Sequence, residues 1–150
     1  ATVMSWRGMV GGIEAAEMGH DVIMTPTDYL YFDFYQGDPE TEPLAMNWAN
    51  RIIPLDTVYV FEPIPDELTA DESRHILGAQ ANVWTEYIST PEYVEYMAWP
   101  RAMALSEVVW SPRDKRDINH FYARLALNLK HLERLGVNYR IPERVDGMAH

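Results

Sequence analysis

Two short strings in this sequence place an aromatic and an acidic residue two positions apart: Tyr31 and Asp33 within YLYFD, and Trp84 and Glu86 within VWTEY. A further aromatic, Trp6, closes the apolar run TVMSW near the start. Flat rings cover apolar C–H surfaces, and carboxylates accept hydrogen bonds from hydroxyls in a fixed orientation. Gathered at one place, these five residues suit a sugar and suit a nucleotide or phosphate poorly. Asp33 and Glu86 also admit a reading as a general acid and base pair. The five Trp and nine Tyr are equally compatible with plain packing in a core, so position has to decide.

The remaining polar groups point to less chemistry. His20, His75, His120, His131 and His150 lie far apart, none one helical turn from another, so no metal site and no metal cofactor are expected. The pairs Asp66-Glu67 and Asp71-Glu72 read as a solvated turn and a helix N-terminus. Arg101 and Glu107 read as a buried ion pair fixing a helix to the body of the fold. The absence of cysteine excludes disulfides and thiolate chemistry. A formal charge of −11, from 23 acidic and 12 basic residues with the basic ones scattered, argues against a nucleic-acid partner. No apolar run approaches the roughly 20 residues that cross a bilayer.

The elements that must position these residues read as α/β. Residues 2–6 form an apolar strand, Gly8, Gly11 and Gly12 a loop, and residues 13–18 a brief helix capped by Gly19. Residues 22–25 form a second strand that runs on towards Tyr31 and Asp33. A strand, a helix and a strand within roughly 25 residues, both strands apolar, is a unit of a parallel sheet. Residues 26–75 read as an elaborated loop with short helices, helical only near 43–51, and loops of this length are usually functional. Residues 76–83 (ILGAQANV) form a third strand that ends at Trp84. A helix in two pieces follows over 91–109, Pro100 opening the second piece and Ser111-Pro112 stopping it. Asp117 opens a last amphipathic helix with Phe121, Leu125, Leu129 and Leu132 on one face, closed by Gly136.

Three parallel strands leave a free apolar edge on the first strand, which needs a neighbour. The neighbours are expected upstream, making the 150 residues part of a larger domain, and the same edge offers a second copy a place to pair. An open doubly wound sheet and a closed (β/α)8 barrel both supply such neighbours. Gly8-Met9-Val10-Gly11-Gly12 lacks the spacing of a phosphate-binding fingerprint, which favours the barrel. In a parallel barrel the site lies at the C-terminal ends of the strands, where Trp6, Tyr31, Asp33, Trp84 and Glu86 fall.

The strings VIMTPTDYLYFDFYQ, ILGAQANVWTEYI and WPRAMALSEVVWSP, in this order, resemble the last third of family 20 glycoside hydrolases. That resemblance implies strands six to eight of a TIM (β/α)8 barrel and a β-N-acetylhexosaminidase acting on terminal N-acetyl-hexosamine residues of glycans or chitooligosaccharides. It implies that Trp6 and Trp84 line a pocket for the N-acetyl group and that Tyr31 donates its hydroxyl to the acetamide carbonyl. Tyr29 offers an alternative register, but only Tyr31 stands two residues before an aspartate. Asp33 and Glu86 would hold sugar hydroxyls. The implied mechanism is substrate-assisted and retaining, the acetamide oxygen attacking its own anomeric carbon, with no cofactor. The family's His-x-Gly-Gly-Asp-Glu string, which supplies the general acid, does not occur here, so this stretch by itself is expected to be inactive. A periplasmic or secreted location is also implied. A non-catalytic carbohydrate-binding or scaffold module is the alternative.

Overall fold

A computed structural model describes residues 1–146, so His150 lies outside the described residues. Strands β1 (Val3–Ser5), β2 (Val22–Met24) and β3 (Ile76–Ala79) form one parallel sheet in the order β1-β2-β3. Val3, Met4 and Ser5 lie opposite Val22, Ile23 and Met24, and the ladder to β3 shifts register between Val22 and Ile23. Alternation sorts the side chains: Val22 and Met24 are buried, while Met4 is half-exposed on the other face.

Helix α1 (Val10–Glu17) makes the first crossover and packs against β1 and β2. It begins three residues earlier than its apolar pattern suggests, so Gly11 and Gly12 belong to its first turn and not to a loop. The close approach explains Gly12, where a Cβ would meet the Met24 Cε at 2.7 Å. Gly19, at φ 78°, ends the helix as expected.

The second crossover holds α2 (Thr27–Leu30), a 3-10 turn (Trp48–Asn50), α3 (Leu55–Tyr59) and another 3-10 turn (Glu72–His75). The helical tendency near 43–51 shrinks to that first turn, because Ala49 and Asn50 take φ of 58° and 52° and leave the right-handed helical region. The second strand does not run out to Tyr31, since α2 intervenes. This insertion also shortens β3. The Gln80 N–H still reaches the Met24 carbonyl at 2.9 Å, but pairing then resumes only as a single bridge between Tyr31 and Asn82.

Helix α4 (Pro91–Ala98) is capped by the Thr90 hydroxyl, which accepts from the Tyr93 N–H at 3.2 Å. Helix α5 (Arg101–Trp110) follows Pro100, which is its cap and not its first residue, and packs on β3 and α3. The expected ion pair between Arg101 and Glu107 does not form. Six residues put them on different sides of the helix. Arg101 turns inward to main-chain carbonyls, while Glu107 accepts from the Tyr59 hydroxyl at 2.8 Å and the Arg124 guanidinium at 2.5 Å.

Helix α6 (Ile118–Arg134) buries the predicted stripe Phe121, Leu125, Leu129 and Leu132 together with Tyr122, and Gly136 ends it at φ 71°. Helix α7 (Glu143–Asp146) follows. One main core joins Val22 and Met24 of the sheet to Leu30, Phe32, Val58, Phe61, Ala104, Val108 and Leu125. Each fully buried large apolar side chain in it contributes about 1.5–3 kcal/mol. Among the described residues, β1 and β3 each pair with β2 alone. No described helix is long and apolar enough to cross a membrane.

Candidate functional site

Past the C-terminal ends of the strands lies an open cavity of about 810 Å³. Its wall is built from the residues just beyond each strand: Trp6 after β1, Thr25 and Thr27 after β2, and Gln80, Asn82 and Trp84 after β3. All five residues singled out by type and spacing, Trp6, Tyr31, Asp33, Trp84 and Glu86, border this one space. Tyr29 does not; its ring lies 5.1 Å from that of Phe61, a core residue.

Hydrogen bonds between the strand ends shape this wall. The Thr27 N–H and hydroxyl both donate to the Trp6 carbonyl, at 3.0 and 2.7 Å, which ties the end of β1 to the start of α2. The Arg7 guanidinium covers one face of the Trp6 ring, 4.6 Å from its centroid. Across the ends of β2 and β3 the Gln80 amide donates to the Asn82 side-chain oxygen at 2.9 Å, and the Asn82 amide donates to the Thr25 hydroxyl at 2.7 Å. The Asn82 main chain then brackets the acidic string: its N–H donates to Leu30 O and its carbonyl accepts from Phe32 N–H. A turn follows, closed by the Phe34 N–H on the Tyr31 carbonyl at 3.2 Å. It delivers Tyr31, Asp33 and Phe34 together to the cavity wall.

Asp33 is the electrostatic centre of the site. It is only 4% exposed, and its Oδ1 has no hydrogen-bond partner among the described residues. Burial pushes its pKa from 3.8 up to about 6; the main-chain N–H groups of Asp33 and Trp84 pull it down, Glu86 pushes it up and Arg101 draws it down. A buried acceptor without a partner is costly unless a donor from outside the described residues reaches it. Glu86, by contrast, is exposed.

Several further wall residues were not singled out by the sequence reading. Trp48 stands 64% exposed at the rim, in the 3-10 turn of a loop whose course nothing local dictates. The Arg51 guanidinium holds it in place, lying 5.2 Å from the Trp48 ring centroid and 5.6 Å from that of Phe34, and paired to Asp28 at 2.6 Å. Met4, Met46, Gln80 and Asn82 also join the wall. Of these, Asn82 could have been found, because an Asn two residues before Trp84 at a strand end is polar where the strand pattern asks for an apolar residue.

Residues 1–113 match the sequence model described as "Glycosyl hydrolase family 20, catalytic domain". The chain belongs to glycosyl hydrolase family 20. Among its relatives, the Beta-hexosaminidase of Porphyromonas gingivalis is 51% identical over 143 residues, covering 95% of this chain and 18% of that protein. A crystal structure of a GH20 exo beta-N-acetylglucosaminidase from Vibrio harveyi, in complex with N-acetylglucosamine, superposes with a TM-score of 0.86 at 33% identity, covering 95% of this chain and 22% of that one. The Streptomyces plicatus N-acetyl-beta-hexosaminidase superposes with a TM-score of 0.83 at 28% identity, over 97% of this chain and 30% of that one. The chain thus spans between 18% and 30% of the length of these relatives. The family 20 catalytic domain is a TIM barrel, and the parallel sheet with its packed helices agrees with part of such a barrel.

Proposed function

We propose that these residues form strands six to eight of a family 20 barrel and supply the acetamide-binding wall of a β-N-acetylhexosaminidase. The observation that carries this reading is the convergence of Trp6, Tyr31, Asp33, Trp84 and Glu86 on one cavity from the segments that follow three successive strands. In this reading the indoles of Trp6 and Trp84 enclose the N-acetyl methyl, and the Tyr31 hydroxyl donates to the acetamide carbonyl oxygen. That oxygen attacks the anomeric carbon of its own sugar as the glycosidic oxygen leaves with a proton. Water then opens the oxazolinium-like intermediate with net retention. The protein provides no nucleophile; it compresses the acetamide into attacking position and stabilises the charge that develops there. The unpartnered Asp33 oxygen and the exposed Glu86 accept hydrogen bonds from sugar hydroxyls. In this reading the proton donor is the acid of the His-x-Gly-Gly-Asp-Glu string that the family resemblance implies, a string that does not occur in these 150 residues, and the substrate is a terminal non-reducing N-acetyl-hexosamine bound by the completed barrel.

A second reading draws on the raised pKa of Asp33 beside Glu86: the two act as an acid and base pair within this chain alone. The same experiment separates the readings. The chain is grafted in place of the matching segment of the Porphyromonas gingivalis relative, and release of a chromogenic aglycone from an N-acetylglucosaminide is measured. Activity in the graft, falling on the order of a hundredfold in Tyr31→Phe, is expected, as when one donor to a developing charge is lost. Equal rates for graft and Tyr31→Phe refute the role of Tyr31. Hydrolysis by the ungrafted chain establishes the second reading, and sugar binding by a folded but inactive graft establishes a non-catalytic carbohydrate-binding module.

A further inference from the structure

We propose that Arg101 is a positioning residue of this site, holding Asp33 in place by gripping the main-chain carbonyls on both sides of it. The inference deepens the reading above and rests on it. Arg101 opens α5 and is fully buried. Its Nη2 donates to the Phe32 carbonyl at 2.5 Å and its Nη1 to the Phe34 carbonyl at 3.2 Å, one residue before and one after Asp33. The same planar group donates from Nη1 to Ile53 O at 3.0 Å, and from Nη2 and Nε to Met97 O at 2.6 and 3.2 Å. One fork therefore joins the acidic turn, the segment entering α3 and the end of α4.

The choice of residue follows from this geometry. A guanidinium presents its donors in a fixed plane, whereas an ammonium is a point charge on a flexible stem and does not serve carbonyls on three segments at once. Its own aromatic neighbour, Phe32, lies beneath it at 4.6 Å, which fixes the plane. A buried cation is expensive, and apolar packing fills such a place with less cost when only stability is at stake. The location of its bonds, flanking a buried carboxylate that borders the cavity with an unpartnered oxygen among the described residues, is what this cation achieves and an apolar residue does not. The charged and titratable groups that face Arg101 are Asp33, Glu42, Tyr96 and Arg140. Through the first of these it also helps keep Asp33 ionised.

The test is a double-mutant cycle in the grafted enzyme, comparing the parent, Arg101→Lys, Asp33→Ala and the double variant, with the folded fraction followed by circular dichroism. Arg101→Lys is expected to raise KM for the N-acetylglucosaminide about tenfold per folded molecule, because the turn is displaced. Combined with Asp33→Ala it adds little further loss, since the group it positions is gone. Equal fold-losses in both backgrounds mean Arg101 is a general structural residue and overturn the proposal. An Asp33→Ala variant with unchanged kcat/KM instead refutes the reading of Asp33 itself. Should the Lys variant not fold, the unsubstituted 150-residue chain decides. Nitrogen-15 signals of the Arg101 guanidinium should shift between pH 5 and 7 and on adding N-acetylglucosamine (pH range set by Asp33 at about 6). The pH response should vanish in Asp33→Asn. Signals that move with neither refute the coupling.

Discussion

Replacing Asp33 by Asn should make this protein more stable at neutral pH while impairing it as a sugar site. Burial raises the Asp33 pKa from 3.8 to about 6 in the folded state, so ionising it costs the fold roughly 3 kcal/mol. Asp33 borders an open cavity, so solvent screening reduces this and about 3 kcal/mol is an upper bound. The folded state holds the proton more tightly than the unfolded chain, so stability is highest below the unfolded value of 3.8. It falls as pH rises towards about 6 and is level above it. Asn has nearly the same shape and no charge to desolvate. The difference in unfolding free energy between Asp33→Asn and the parent should accordingly be near zero at pH 4 and grow to as much as about 3 kcal/mol in favour of the variant at pH 7. Urea unfolding of both proteins at pH 4, 5, 6 and 7, at constant ionic strength, measures it. Taking the difference between the two cancels the other carboxylates. A parent that equals or exceeds the variant in stability at pH 7 would falsify the electrostatic description of Asp33. The expected cost is affinity, the trade of stability for function that active sites show.

Trp84→Ala removes one aromatic wall of the cavity without touching the core, since Trp84 is half-exposed; binding of N-acetylglucosamine in the grafted enzyme should weaken roughly tenfold, with melting temperature unchanged within a degree or two. On α6, Leu125 is buried and Leu127 exposed, so Leu125→Ala should lower the unfolding free energy by about 2–5 kcal/mol and Leu127→Ala by less than about 0.5 kcal/mol. Equal effects would mean the helix is rotated from the face described. Thr90→Ala deletes the hydroxyl that accepts from the Tyr93 N–H and should cost about 1 kcal/mol, read by urea unfolding.

Much of the fold could be read from local pattern. The apolar strands, the stripe Phe121, Leu125, Leu129 and Leu132 and the glycine caps at 19 and 136 obey periods and backbone preferences that depend on near neighbours alone. The same locality made Trp6, Tyr31, Asp33, Trp84 and Glu86 stand out, because strand ends in a parallel sheet are identifiable from the strands. The course of the chain between β2 and β3 was not legible. There α2 interrupts the strand, Ala49 and Asn50 take left-handed backbone angles, and Trp48 comes to the rim through a stack with Arg51 and Phe34.

Residue type and spacing on their own determined which groups carry chemistry that suits a sugar, since aromatic faces and carboxylates act through their own chemistry wherever they stand. Tertiary structure alone decided what state those groups are in. Asp33 is perturbed because packing removes its water, and Arg101 bonds to carbonyls from three segments because folding brings residues 32, 34, 53 and 97 around it. Solvation and long-range hydrogen bonding belong to the arrangement of distant residues in space, and no local pattern contains them.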